Sequence, residues 1–584
     1  MPTSLVEGES LLAVDVGATT TRAVLFDVVE GNYRFVAVGN APTTAEAPFR
    51  DIGLGVREAI EAIQVITGRT FLDKDRRLIA PVQPNGSGVD AFAATLSAGP
   101  AVRTAIVGLL SDVSLESARR LVETTYCRIV ETVDLNDHRR AEEQIDGFLR
   151  ARPELVVITG GTDGGASRSI KKMVEAVGLA CYVLPPEKRP AILFAGNQGL
   201  HADVQTLMGN LTPALHFSPN VRPSLETEDL EPAARELANL LTVARRSQLN
   251  GVEELESWTK GHLLPTSYAT GRMIRFLGQM TGAESGVLGV DIGASATTVA
   301  AGFNGKLSLH TYPQFGLGEN LGLLLQHTDL DSIKRWLSLD IPASAVRDYL
   351  YQKSLYPAIL PATLEDQAIM QAIARQSLYL SLRTARRDFP SEAHTLRPDL
   401  QPLFELIIAS GGALADAPTL GQSLLLMLDA IQPVGFTHFM LDRANLLPLL
   451  GVSAAQNNIL PVQVLESGAF QNLGTVVSVI ANSNYGAQIL RAKMLTSNNN
   501  ESNIEVKFGG LEALPLALGE TAKLTLQPMN RADIGYGPGR SQTVTVNGGA
   551  LGVVIDARGR PLQLPSDPVR RRELMKKWLW TLGG

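Results

Sequence analysis

The sequence predicts an α/β protein built from two related halves that face a shared cleft, and three observations predict it. A strand–turn–strand unit with Asp-x-Gly at its turn occurs twice, at Leu11–Asp27 and at Val287–Phe303. Strands and helices alternate regularly from about Ala101, the pattern of a parallel sheet covered on both faces. Beyond about Gln456 that alternation gives way to short strands separated by Gly and Asn turns, which predicts a β-rich C-terminal region.

The first unit runs through Asp15, Val16, Gly17, Ala18, Thr19, Thr20 and Thr21 between two apolar, β-branched runs. Gly17 lets the backbone approach a ligand closely, because no Cβ intervenes. Successive N–H groups and three hydroxyls then face one concave point, which suits a phosphate. Asp15 ends the first strand, where it is placed to hold a hydrated Mg²⁺. The second unit repeats the pattern with Asp291, Gly293, Ala294, Ser295, Thr297 and Thr298. A pair of ordinary hairpins whose aspartates cap turns is the bland alternative, and a duplicated motif weakens it. The duplication resembles the sugar-kinase, Hsp70 and actin type of ATPase. That resemblance implies two actin-like (ribonuclease H-like) halves that grip the phosphates of ATP from opposite sides.

At 584 residues the chain exceeds a single core, so two to four domains are expected. A content of 45% hydrophobic and 19% charged residues is that of a globular protein. A net charge of −7 offers no electrostatic case for nucleic acid or an anionic membrane. The two cysteines, Cys127 and Cys181, sit in apolar segments, which argues against disulfides and fits a reducing cytoplasm. The opening ten residues lack a leader's basic and apolar regions, and no apolar run is long enough to span a membrane. No histidine pair has zinc-ligand spacing.

In the first half, Tyr33–Gly39 reads as a third strand and Gly53–Thr67 as a helix, with Val56, Ile60, Ile63 and Ile66 on one buried face. Leu78–Val82 is an added candidate strand. Strands at 101–110, 128–133 and 154–159 then alternate with helices at 115–124, 137–150 and 168–177. This run is longer than an actin-like half requires, so an inserted α/β unit is expected at about 100–210. Within it, Thr159, Gly160, Gly161, Thr162, Asp163, Gly164 and Gly165 join a strand to a helix, an anion-receptive corner. Asp163 is placed to polarise water, to bind a ribose hydroxyl or to cap the helix, and the three readings stay open. A second loop, Phe194–Gly199, is expected on the same face.

These elements together resemble the MutL (GlmL) family associated with coenzyme B12-dependent glutamate mutase, unrelated to the mismatch-repair protein of that name. The resemblance rests on Asp15–Thr21, Thr159–Gly165, Ala195-Gly196-Asn197 and Val290–Thr298, and spans about Leu11 to Pro418. It implies an actin-like ATPase fold and a chaperone or reactivating role toward a B12-dependent mutase.

Pro213, Pro219, Pro223 and Pro232 punctuate a hinge that leads into a helix at 230–246, and a further helix at 266–280 precedes the second hairpin. Helices are expected at 332–339, 345–353 and 365–389. Arg383, Arg386 and Arg387 share one side of the last, read as a solvated face rather than a phosphate contact. Phe404–Ser410 then runs into Gly411, Gly412 and Ala413, which resembles the adenosine motif of actin-like ATPases. Two Asp turns followed by paired glycines reproduce that superfamily's order of motifs.

Short strands are expected at 460–465, 474–481, 504–508, 522–527, 542–546 and 549–555, with the glycines around Tyr536 read as a hairpin turn. Asp567-Pro568 opens a basic terminal helix that carries Leu574, Trp578 and Leu582 on one side, suited to packing on the chain itself. The expected domains are 1–215, a hinge at 216–285, a second half at 286–455 and the β-rich region at 456–584. The candidate site comprises Asp15, Asp291 and Asp163 as catalytic or metal-side carboxylates. Gly17–Thr21, Gly160–Thr162, Gly293–Ser295, Thr297 and Gly411–Ala413 are the ATP-binding backbone and hydroxyls. A slow Mg²⁺-ATPase that drives conformational change is the first functional reading. A small-molecule kinase with Asp163 as base, and an actin-type filament or homo-oligomer, are the alternatives.

Overall fold

The computed structural model describes residues 9–282, 284–529 and 531–583, so that most of the opening stretch considered for a leader lies outside them. One sheet has five strands in the order Leu263–Pro265, Ala91–Leu96, Leu11–Val16, Thr20–Val29, Asn32–Pro42. Its last three strands are antiparallel neighbours, and its first two run parallel to Leu11–Val16. The second half repeats this layout. Lys306–Tyr312, Thr297–Phe303 and Gly286–Ile292 are antiparallel, followed by Phe404–Ser410 and Gly435–Leu441 in parallel. Matching strand order and direction establish the duplication that the repeated hairpins predict.

Leu11–Val16 is buried at every position because both faces of its sheet are covered. Leu12, Val14 and Val16 pack with Val56, Ile60 and Ile63 of helix Ile52–Thr67. Ile66, expected on that face, is 63% exposed, because the last turn of the helix overruns the packed face. Leu11 and Ala13 face the other way, into a core shared by helices Thr266–Gly278 and Leu446–Ser453 between the two halves. These two helices cross at Gly451, where a Cβ would lie 2.0 Å from the Ala269 carbonyl oxygen.

Between Ala91–Leu96 and Leu263–Pro265 the chain leaves the first sheet and builds a second, all-parallel sheet. Its order is Cys127–Val133, Val102–Val107, Leu155–Ile158, Ala191–Phe194, Leu215–Phe217. Helices Glu116–Val122 and Glu231–Gln248 cover one face, and Arg168–Val183 and His201–Met208 cover the other. This is the inserted α/β unit expected from the strand–helix alternation. It is tied to the second half by a clasp: His310 Nδ1 lies 2.9 Å from Glu123 Oε2, and Arg119 donates to both Glu123 and Asp388.

Two expected strands are not strands. Residues 78–82 form only an isolated bridge, Leu72 with Leu78, and the strand beside Leu11–Val16 is instead the alanine-rich Ala91–Leu96. Residues 460–465 lie in helix Ile459–Glu466, started by the Asn457 side chain, which accepts from the N–H groups of Ile459 and Leu460. Its apolar run buries Leu460 and Val464 four residues apart, a helical rather than an alternating pattern.

The C-terminal region is β-rich, and part of it extends the second half's own sheet. Gln471–Ser478 pairs with Gly435–Leu441, and Val553–Asp556 and Leu511–Leu514 follow. A separate four-stranded antiparallel sheet is formed by Glu501–Lys507, Gln488–Thr496, Thr521–Pro528 and Gln542–Asn547. The terminal helix Pro568–Thr581 is capped by Asp567 and buries Leu574 and Trp578, with Leu582 just beyond it. Trp578 donates to the Gly509 carbonyl and lies over the Arg558 guanidinium, so the helix packs on the chain itself.

Beneath that helix is a fully buried ion cluster. Asp556 accepts from Arg558 and Arg560, and Asp429 accepts from Arg558 and Arg375. Burial works against the Asp556 charge, yet Arg558 and Arg560 hold its carboxyl well below the ordinary range. Its contribution to stability is therefore present above the unfolded value near pH 4 and is lost as pH falls below it. Asp556→Asn leaves two buried guanidinium groups short of charge, and is expected to cost about 3–5 kcal/mol. Denaturant unfolding near neutral pH checks this, with the difference from the parent narrowing toward pH 3. Gly451→Ala is expected to cost about 1–3 kcal/mol by forcing the crossing helices apart, read in the same way.

Candidate functional site

The turns of the two repeated hairpins have the same construction. The Gly17 N–H donates to Thr20 O at 3.1 Å, and the Gly293 N–H donates to Ala296 O at 3.0 Å. The carboxylates that precede them are held alike. On the parallel neighbour strand, Thr95 pairs with Asp15 and Ser410 pairs with Asp291. The Thr95 hydroxyl donates to Asp15 at 2.7 Å, and the Ser410 hydroxyl donates to Asp291 at 3.0 Å.

Asp15 has further donors. Thr266, at the start of the helix leading out of the first half, donates to Oδ1 at 2.9 Å. Asn445, the residue before helix Leu446–Ser453 of the second half, donates to Oδ2 at 2.8 Å. Asp442 caps that same helix, accepting from the N–H groups of Leu446 and Leu447.

Both turns line a single cavity of about 400 Å³ between the halves. Asp15, Gly17, Ala18, Thr19 and Thr20 come from one side, and Asp291, Gly293, Ala294 and Ser295 from the other. Gly411, Gly412 and Ala413 line it too, so the three motifs read from the sequence converge. Gly411 has φ +99°, and a Cβ there would lie 2.3 Å from the Ile292 carbonyl oxygen, so the strand end is closed to any larger residue. Thr21 and Thr297 are buried behind the turns: Thr21 bonds Thr43, and Thr297 donates to the Phe315 carbonyl.

Gly160, Gly161, Thr162 and Asp163 do not line this cavity. They lie past the C-terminal end of Leu155–Ile158 in the inserted sheet, where the Phe194–Gly199 loop joins them. Asp163 Oδ1 accepts from the Gln198 N–H and from Asn220 Nδ2, bonds that tie the two loops and the following segment together. Arg383 and Arg387 are exposed, and Arg383 lies beside the Tyr379 ring.

The cavity also contains residues that the sequence reading did not single out: Arg22, Lys353, Asp442, Arg443 and Asn445. Arg22 had a visible signal, since it follows the threonines of the first turn by one residue. The others come from the second half and become neighbours of the first turn only through the fold. Burial pushes the carboxyls of Asp291 and Asp442 up to about 6 and raises that of Asp15, while Arg22 partly offsets all three. Asp15 adds to the upward push on Asp291. Burial lowers the Lys353 ammonium, which donates to the Ile359 carbonyl.

The raised Asp291 value means that the folded chain holds a proton the unfolded chain releases between about pH 4 and 6. In metal-free buffer this carboxylate therefore removes stability as pH rises through that window. Asp291→Asn is expected to raise unfolding stability by about 1–3 kcal/mol at pH 7.5, with no gain at pH 4. Thermal unfolding in EDTA at the two pH values checks it.

Two sheets with the same order, carboxylate-bearing turns facing one cleft and a glycine pair at the end of strand Phe404–Ser410 make the fold actin-like. The sequence pattern of the MutL protein family matches residues 11–468. Protein MutL of Clostridium tetanomorphum is 24% identical over 306 residues, which is 51% of this chain and 59% of that protein. The chain thus spans less than two thirds of that curated relative. Among solved structures, a nucleotide-free diol dehydratase-reactivating factor overlaps 79% of this chain and 100% of its own at 10% identity and TM-score 0.30. Glycerol dehydratase reactivase overlaps 72% and 94% at 12% identity and TM-score 0.27. Xylulose kinase of Bifidobacterium adolescentis overlaps 77% and 94% at 10% identity and TM-score 0.26. The family match covers most of the sequence, including both Asp-x-Gly turns and the paired glycines, and the chain belongs to the MutL protein family.

Proposed function

We propose that the protein binds Mg²⁺-ATP between its halves and uses the nucleotide to drive a conformational change, acting on a coenzyme B12-dependent mutase as a chaperone or reactivating partner. The observation that carries the nucleotide reading is the convergence of both Asp-x-Gly turns and Gly411–Ala413 on one cavity. The backbone N–H groups and hydroxyls of Gly17–Thr20 and Gly293–Ser295 are the phosphate contacts in this reading, and Gly411, Gly412 and Ala413 seat the nucleoside. Oxygen donors at Asp15 and Asp291 suit Mg²⁺, which keeps several waters and needs only one or two carboxylates. When bound, the ion would neutralise charge on the phosphate oxygens.

The chain's own residues divide the remaining work. Asp15 is oriented by Thr95, Thr266 and Asn445, and Asp291 is oriented by Ser410. Arg22 and Lys353 add positive charge along the cavity. Hydrolysis by positioning and charge stabilisation needs no protein nucleophile. The partner class rests on the family resemblance, and a cytoplasmic location is part of the same proposal. No helix among the described residues is long and apolar enough to cross a membrane. The kinase alternative loses its sequence-derived base, since Asp163 does not line the cavity.

ATP with Mg²⁺ is expected to raise the melting temperature, and Asp15→Ala to abolish that rise while the variant stays folded by circular dichroism. A normal ATP-dependent shift in Asp15→Ala would remove the first hairpin from the site. ATP turnover that rises on adding a B12-dependent mutase, but not on adding sugars, supports the partner assignment. The reverse pattern overturns it.

A further inference from the structure

A second cavity, of about 280 Å³, adjoins the first. Ala18, Thr19, Ala294 and Ser295 line both, so the tips of the two Asp-x-Gly turns stand between them. Away from the turns its walls are largely apolar, with Pro42, Ala101, Leu355 and Tyr356 among them. Tyr356 is 65% exposed and Leu355 74%, which leaves apolar surface open at the cavity. Two acidic residues, Glu46 and Glu319, are also among its lining residues and are exposed to solvent. Among the described residues lining it there is no lysine, arginine or histidine.

We propose that this chamber is a separate binding site for a small uncharged or cationic molecule with an apolar body, of the alcohol or amine class. A volume near the lower end of ordinary ligand cavities limits the occupant to a small molecule. The apolar walls favour an apolar body, and Tyr126 and Tyr356 put aromatic residues in the lining, a residue type that attracts cations. Glu46 and Glu319 supply charge for an ammonium group. An anion would find no cationic side chain among the described residues lining the chamber and would meet Glu46 and Glu319, so carboxylic acids and phosphate esters are disfavoured relative to alcohols and amines. The site differs from the nucleotide cleft in this respect, because the cleft has Arg22 and Lys353 in its lining.

Benzylamine, benzyl alcohol and benzoate have nearly the same size and differ in charge, so they test the assignment. Each is titrated into the nucleotide-free full chain and followed by saturation-transfer NMR. Benzylamine and benzyl alcohol are expected to bind in roughly the millimolar range, as suits ligands of so few atoms. Benzoate is expected to bind at least about tenfold more weakly. Ala101→Trp fills the chamber from a wall that the nucleotide cleft does not share, and is expected to abolish both signals. Should that variant fail to fold, Glu46→Gln with Glu319→Gln is expected to weaken benzylamine about three- to fivefold and leave benzyl alcohol unchanged. Benzoate binding as well as benzylamine, binding by none of the three, or binding unaltered in these variants overturns the proposal. ATP titration of the same sample reports on the nucleotide cleft independently, so failure of one reading is distinguishable from failure of the other.

Discussion

Asp15 is a buried carboxylate held by three donors that come from three separate parts of the chain. Thr95 belongs to the neighbouring strand, Thr266 to the helix that leaves the first half, and Asn445 to the approach of a helix in the second. A charge taken out of water is tolerable only when such partners are all in place. The close crossing of helices Thr266–Gly278 and Leu446–Ser453 at Gly451 keeps two of these partners in reach. The geometry of the Asp15 carboxylate and the packing between the halves are therefore one constraint. A shift of either helix changes the surroundings of Asp15, and a ligand that bound Asp15 in one arrangement better than another would bias the position of both helices.

Asp291 is held more simply. Its hydroxyl partner, Ser410, lies on the adjacent strand at the position that Thr95 occupies in the first half. The halves part company immediately afterwards. Leu96 and Ser97 follow Thr95, whereas Gly411 and Gly412 follow Ser410, and only the glycines leave the backbone bare toward the cavity. The duplicated carboxylate turns thus face a cavity whose two sides differ, with bare glycine backbone on the second half's side alone.

Much of this was legible because the repeated units are local. A hairpin of about 15 residues carries its own strands, turn glycine and carboxylate, and each copy could be read without knowing the rest. The terminal helix was equally readable from Asp567-Pro568 and the spacing of Leu574, Trp578 and Leu582. The strand Ala91–Leu96 escaped because alanine favours no strand, and only its place between two other strands makes it one. Helix Ile459–Glu466 escaped because a short apolar run looks alike in both states, and a side-chain cap from Asn457 decided it. In the cavity, Lys353, Asp442 and Asn445 lie more than 300 residues from the first turn, and nothing local marks them. The loop of Asp163 carried a strong local signal for an anion corner, yet its position in the fold ties it to Gln198 and Asn220 in the inserted sheet.

The inserted sheet leaves the first half after Leu96 and returns to it at Leu263, so both of its attachments are to one half. It also holds the other half, through the clasp of Arg119 and Glu123 on His310 and Asp388, the Arg120–Asp388 pair and the Thr311 N–H donated to the Glu123 carbonyl. An unbranched hinge would let two halves swing apart without limit. Here the insertion acts as a tether across the joint, anchored at one end by covalent chain and at the other by ion pairs. Parting the halves at this joint would require those ion pairs to break or the inserted sheet to move with the second half.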